Sequence, residues 1–359
     1  MATNIIGIAR TPFIPILGAL AEESSVILGS TALKGALNMG FTSRDVIDRV
    51  VLSQVFTTGC GPSPSKQIAY QAGLRNSTSC FQTSQLCTSG LKAVSLAHDM
   101  LHSGKSHCLA TVGVESTSQA PYILKNARMQ GYGVGDGVLV DSVTSDGFSK
   151  MEMDLTDFTE SAKISKLDMM QYAAESFRRV AACYSDGIMQ NEIVPMVVKN
   201  RGSVKSDSDT WISHSQVKLT SDALHKAFVP NQASQKNIKV KSTMADGAGC
   251  ILISKDVSPG KGRSGSIARI VDYVEVSTDG GSFPHALVSA IKEIQTRVRQ
   301  SVDIYEIMDQ YAFLPIFVSK ELNIDPSRIN VHGSTLSIGH PMGKTNGSLK
   351  LTNEVWKSR

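Results

Sequence analysis

A disulfide scaffold is the first thing this chain does without. Its six cysteines (Cys60, Cys80, Cys87, Cys108, Cys183 and Cys250) are scattered with no repeating spacing, which reads as free thiols in a reducing compartment. No apolar run is long enough to cross a bilayer, so no membrane span is expected. The N-terminus passes almost at once into a strand at Asn4 to Ile8, with neither a charged region ahead of an apolar core nor an Arg- and Ser-rich leader. The last residues, Trp356 to Arg359, do not form Ser-Lys-Leu, and the expectation is a cytoplasmic protein. Charge of one sign is also scarce. Thirty-six Lys and Arg against 32 Asp and Glu leave +4, too mild an excess to call for nucleic acid.

Several familiar ligand motifs are missing as well. Gly260 to Gly265 lacks the Gly-Lys-Ser ending of a phosphate loop and reads as a linker. Gly131 to Gly137 offers a Gly-x-Gly pattern that neither follows a clear strand nor opens a helix, which argues against a dinucleotide site. His98, His102, His107 and Cys108 cluster in sequence, but without a convergent second element they read as a solvated helix face, and no metal is expected.

What is present is an alternation of periods. Asn4 to Ile8, Arg49 to Phe56, Cys80 to Gln82 and His107 to Val114 read as strands. Between them lie helices at Ser25 to Met39, Ser65 to Gly73 and from Cys87 onward. This order predicts an α/β fold with a mostly parallel sheet covered by helices. From about Glu115 to Thr243 the character changes to loops, a polar stretch and one long amphipathic helix at Asp168 to Cys183, which suggests an inserted module. Ala248 to Ser254 returns as a strand. After the linker the alternation resumes, with strands at Ile267 to Val276, Val302 to Met308 and Arg328 to Val331. Helices are expected at Pro284 to Val298, Gln310 to Leu322 and His340 to Trp356.

Two segments carry chemistry. Ser84-Gln85-Leu86-Cys87-Thr88-Ser89-Gly90 places a cysteine where a strand gives way to a helix. Unpaired N–H groups and the positive end of the helix dipole favour a thiolate there, and a small buried cysteine is the competing reading. Gly339-His340-Pro341-Met342-Gly343 pins a histidine between glycines. Pro341 at a first helical position would hold the imidazole at a helix entrance, with the backbone close to a ligand. A thiol and a histidine from distant parts of one chain make a nucleophile and base pair.

With these segments the chain resembles the thiolase family, the acyl-CoA C-acyltransferases that form or cleave β-ketoacyl-CoA. The resemblance extends through Ala9-Arg10-Thr11-Pro12-Phe13, Gly113-Val114-Glu115-Ser116, Asn191-Glu192-Ile193-Val194-Pro195 and Asp246-Gly247-Ala248-Gly249. It implies a thiolase-like fold of two similar βαβαβ halves in a layered αβαβα core with an inserted loop domain. The N-terminal half would be 1–117 with 246–258, the inserted coenzyme A-binding loop domain 118–245, and the C-terminal half 265–359. It further implies Cys87 as the acyl acceptor, His340 as its base, and Met151, Phe228, Ser242 and Tyr311 along the pantetheine channel. His332 reads as a loop or core residue. Acyl-CoA and CoA would be substrates, with no separate cofactor, and the assembly a homodimer, pairing near Cys80 to Thr83, or a dimer of dimers.

Two departures from the family pattern stand out. Met308 occupies the place of an asparagine whose amide holds a catalytic water. Only Pro341 to Arg359 follow His340, leaving no Cys-x-Gly-Gly-Gly segment and suggesting a shortened C-terminal half. The expectation is therefore an acyltransferase on short or medium β-ketoacyl-CoA. The alternative is a partly or fully inactive relative that binds, hydrolyses or decarboxylates acyl-CoA.

Overall fold

The structure, a computed structural model, describes residues 3–129, 131–147, 155–199, 209–212, 240–256, 265–278 and 282–344. Its centre is one seven-stranded sheet. The strands are β1 (Thr3–Arg10), β2 (Ile14–Pro15), β3 (Arg49–Ser53), β4 (Ser79–Thr83) and β5 (Cys108–Glu115). They are joined by β10 (Ala245–Ser254) and β11 (Ala268–Ile270), in the order β11-β1-β10-β5-β3-β4, with β2 beside β10.

The sheet is mixed rather than mostly parallel. β3 runs parallel to β4 and β5, but β10 enters between β1 and β5 and is antiparallel to both. Helical crossovers make the first set parallel: α2 (Pro64–Gln71) joins β3 to β4, and α3 (Ser89–His102) joins β4 to β5. β10 arrives instead from the far side of the inserted module, so nothing constrains it to the same direction.

Every residue of β1 and β5 is buried, as a strand covered on both faces requires. The two-residue alternation sorts their side chains. Ile6, Val112, Val114 and Leu252 face α1 (Ser25–Met39) through Leu28, Leu33 and Ala36, whereas Ile5, Leu109, Ile251 and Ile253 meet Ala93, Ala97 and Leu101 of α3.

The inserted stretch contributes two small hairpins, β6 (Tyr122–Leu124) with β7 (Leu139–Asp141) and β8 (Met196–Lys199) with β9 (Asp209–Ile212). Between them lie α4 (Leu155–Ser161) and α5 (Lys166–Ser185), the latter opened by a Ser165–Asp168 capping box. Met169 and Ala173 of α5 join a second core with residues from α6 (Phe283–Val298) and α7 (Phe313–Leu322), including Val288, Phe313, Phe317 and Val318.

Three strands expected in the C-terminal part take other forms. Of Ile267 to Val276 only β11 is a strand, and it extends the first sheet beside β1. Val302 to Met308 and Arg328 to Val331 meet at a single parallel bridge, Tyr305 with Ile329. Pairing stops there because Asn330 turns into the left-handed region (φ 49°) and its side-chain oxygen, in place of a backbone carbonyl, accepts the Ile307 N–H at 2.7 Å. The helix expected from Gln310 begins at Phe313.

Candidate active site

Cys87 sits in the loop between β4 and α3, just ahead of the first helical turn. The loop is folded tightly on itself, with Leu86 in the left-handed region at φ 50°, a strained conformation for leucine. Short bonds hold it there. The Gln85 N–H donates to Ser89 Oγ at 2.7 Å, and the Thr88 hydroxyl and N–H both donate to the Gln85 carbonyl at 2.7 and 3.1 Å. The Ser84–Gly90 segment owes its small polar residues to these bonds.

His340 comes from the opposite end of the chain. A four-residue helix, α8 (Thr335–Ile338), ends at Gly339 with φ 95°, where a Cβ would fall 2.8 Å from that of Ala245. Only glycine fits such a turn. The next residue then lies alongside the start of β10: the His340 N–H donates to the Thr243 carbonyl at 2.8 Å, and the Ala245 N–H to the His340 carbonyl at 3.2 Å. Pro341 does not open a helix. Pro341 to Lys344 form a turn closed by the Lys344 N–H on the Pro341 carbonyl at 3.0 Å, and the remainder of the helix expected to Trp356 lies outside the described residues.

These two segments bring His340 Nε2 to 3.3 Å from Cys87 Sγ. The surroundings are apolar. Phe56, Val143 and Met342 form a buried cluster, with Val55, Cys87, Ala120 and Met244 against it. Burial sets the protonation states. It drives the His340 imidazole down to about 4, with the Lys344 charge adding to the effect. It drives the Cys87 thiol up to about 12, with the Glu115 carboxylate pushing the same way and the residue's own N–H opposing. The thiolate expected from the helix start is therefore outweighed by desolvation, and the resting pair is a neutral thiol beside a neutral imidazole. That arrangement suits a base that takes the proton only when the sulfur attacks.

Of the four residues placed along the pantetheine channel by resemblance, Met151 and Phe228 lie outside the described residues. Ser242 and Tyr311 come together: the Ser242 N–H donates to the Gln310 carbonyl at 2.9 Å, and Lys241 bridges Tyr311. The segment carrying Ser242 continues directly into Thr243, which binds the His340 backbone. His332 is in a turn next to α5, where Cys183 Sγ approaches its carbonyl at 3.9 Å. Among the described residues no group of three His, Cys, Asp or Glu could hold a metal, and no helix is long and apolar enough to cross a membrane.

Two buried carboxylates were not singled out by sequence reasoning. Glu115, at the end of β5, accepts the N–H groups of Val55, Phe56 and Gly343 and is raised to about 7 by burial. Asp309 accepts the Thr335 hydroxyl at 2.5 Å and the Leu336 N–H at 3.0 Å, holding the start of α8. Tyr172 of α5 donates to its other oxygen at 3.0 Å and accepts from Asn330 Nδ2 at 2.8 Å. The only sequence hint was that Glu115 follows Gly113-Val114 and Asp309 follows Met308 in segments of interest for other reasons.

A tightly turned cysteine at a helix entrance, facing a histidine from a Gly-His-Pro turn, defines an acyl-transfer type of site. The thiolase N-terminal domain profile matches residues 3–256 and the thiolase C-terminal domain profile residues 265–355; the chain belongs to the thiolase family. It is 28% identical over 360 residues to a probable acetyl-CoA acetyltransferase of Mycolicibacterium smegmatis, covering 97% of this chain and 92% of that one. A probable acetyl-CoA acetyltransferase of Escherichia coli is 30% identical over 353 residues, 94% of this chain and 88% of its own. Among solved structures, human mitochondrial 3-ketoacyl-CoA thiolase superposes with a TM-score of 0.87 at 24% identity, covering 99% of this chain and 92% of that one. A thiolase from Ascaris suum in complex with coenzyme A gives 0.86 at 22% identity, covering 100% and 94%.

Proposed function

We propose that this protein is an acyl-CoA C-acyltransferase that carries short or medium acyl groups on Cys87. The observation that carries the reading is the 3.3 Å contact between Cys87 Sγ and His340 Nε2 against an apolar cluster, on a chain of the thiolase family. As Sγ forms its bond to the thioester carbonyl carbon, the S–H proton passes to His340 Nε2 and negative charge develops on the carbonyl oxygen. In this reading the Cys87 N–H stabilises that oxygen. Collapse breaks the bond between the carbonyl carbon and the CoA sulfur, and the imidazolium returns its proton to that sulfur, leaving acyl-Cys87 and free CoA. A neutral imidazole at rest is ready for the first transfer without prior deprotonation.

The acyl-CoA donor would reach Cys87 past Ser242 and Tyr311. A homodimer is part of this reading, because β4 is the last strand along the central sheet and its edge is where a second copy would pair. The function is tested by intact-mass analysis after mixing with acetoacetyl-CoA, alongside a CoA-dependent cleavage assay. A mass increase of one acyl group, lost in Cys87→Ser, supports it. No acyl adduct together with no cleavage would overturn it.

A further inference from the structure

We propose that Glu115 is a positioning residue for acyl transfer: its carboxylate clamps the turn after His340 onto the half of the molecule that carries Cys87. The proposal rests on the acyl-transfer reading of this site and adds the group that sets the distance between its two reacting side chains.

Glu115 is fully buried, and its two oxygens gather three backbone donors from separate segments. Oε2 accepts the Val55 N–H at 3.0 Å and the Gly343 N–H at 2.7 Å, and Oε1 accepts the Phe56 N–H at 3.1 Å. Val55 and Phe56 follow β3, which lies next to β5 in parallel register. Gly343 is three residues past His340, and its carbonyl is held as well, by the Ser53 hydroxyl at 2.8 Å. Both polar groups of the Gly343 backbone are thus fastened to the ends of β3 and β5. The fit leaves no slack: a Cβ on Gly343 would lie 2.6 Å from Gln54 Cα and 2.7 Å from Glu115 Oε2.

His340 is accordingly suspended between two carboxylates. Asp309 holds the helix before it, but that fastening lies within the second core. Glu115 alone of the two ties the turn to the strands leading to the Cys87 side. A histidine that must meet a sulfur at hydrogen-bond distance is sensitive to displacements well below 1 Å. A glutamine in this place would keep the volume but turn an NH2 group toward at least one N–H, breaking one of the three bonds.

The test uses the full chain with Glu115→Gln, following acetylation of Cys87 from acetyl-CoA by intact mass and, separately, Cys87 alkylation by iodoacetamide between pH 6 and 10. The expected result is an acetylation rate at saturating donor at least tenfold lower, with the half-saturating donor concentration within twofold of wild type. The alkylation curve should move to lower pH because a carboxylate near the thiol is gone. A rate within twofold of wild type, a loss confined to half-saturation, or an unmoved alkylation curve would each overturn the proposal. Should Glu115→Gln fail to melt cooperatively, Ser53→Ala removes only the bond to the Gly343 carbonyl and should slow acetylation about threefold; an unchanged rate there overturns it. Wild type that alkylates at Cys87 but never acetylates would sink the acyl-transfer reading instead, a result the alkylation curve keeps separate.

Discussion

Cys87 Sγ and His340 Nε2 stand 3.3 Å apart although 253 positions separate them in the chain. The contact joins two neutral groups, since burial raises the thiol to about 12 and lowers the imidazole to about 4. An ion pair at this spot would have to be stabilised in an apolar cluster of Phe56, Val143 and Met342, where charge is costly. The site therefore keeps its charge separation for the moment of reaction.

The first prediction follows from that resting state. Cys87 in the free protein should react slowly with iodoacetamide at pH 7, its rate rising about tenfold per pH unit toward alkaline pH, while acetyl-CoA acylates it readily near neutrality. His340→Ala should lower the acylation rate by about a hundredfold to ten-thousandfold, the usual worth of a positioned base. Peptide mapping and intact mass measure both. Rapid alkylation of Cys87 at pH 7 would show a thiolate at rest.

Stability should respond to pH with opposite signs at two buried groups. Glu115 holds its proton up to about 7 in the folded protein against 4.5 as the ordinary value, so the folded state binds more protons and stability falls as pH rises between these values. His340 is lowered to about 4 from 6.5, so the unfolded state binds more protons and stability rises with pH across that window. Each is worth on the order of 3 kcal/mol and they largely offset. Urea titrations of Glu115→Gln should thus show stability climbing from pH 4.5 to 7, and those of His340→Ala should show it falling. Identical pH dependence in both variants would contradict this.

Tyr172→Phe should destabilise the second core by about 1–3 kcal/mol, because it strands one oxygen of Asp309 and the Asn330 amide without their shared partner. Thermal melts read the effect. A change below about 0.5 kcal/mol would mean that the Tyr172 hydroxyl is not holding the network together.

Gly343→Ala should be worse than an ordinary surface glycine change. Its new methyl would meet the Gln54 and Val114 backbones at 2.6 and 2.7 Å, groups that cannot swing aside. Gly133, like Gly343 outside the left-handed region but with nothing within 4 Å of its Cβ position, is the control for the glycine-to-alanine change alone. Gly343→Ala is expected to cost about 1–3 kcal/mol more than Gly133→Ala, an overpacking penalty, and equal losses by calorimetry would refute it.

The residue pattern alone located much of this. The strand-to-helix change at Cys87 and the glycines around His340 are local features, and local propensity and backbone sterics act within a few residues, so both are kept in the fold, although Pro341 closes a turn with Lys344 instead of opening the expected helix. The covered strands β1 and β5 and the long helix α5 were legible for the same reason: continuous apolar runs and a repeated helical spacing. Non-local pairing was not. Nothing in Ala248 to Ser254 reveals that β10 will insert antiparallel between β1 and β5, because strand direction depends on where the chain re-enters after the inserted module. Val302 to Met308 looks strand-like by composition, yet its pairing ends where the Asn330 side chain captures the Ile307 N–H.

The same division holds for the chemistry. From its sequence the protein has a thiol at a helix entrance and a histidine in a glycine-lined turn, since these follow from residue type and immediate neighbours. Tertiary structure decides that the thiol is protonated, because desolvation by Phe56, Val143 and Met342 is created only when distant segments close over it. It also decides that Glu115 joins the two halves of the site, because the backbone N–H groups that its carboxylate collects come from Val55, Phe56 and Gly343.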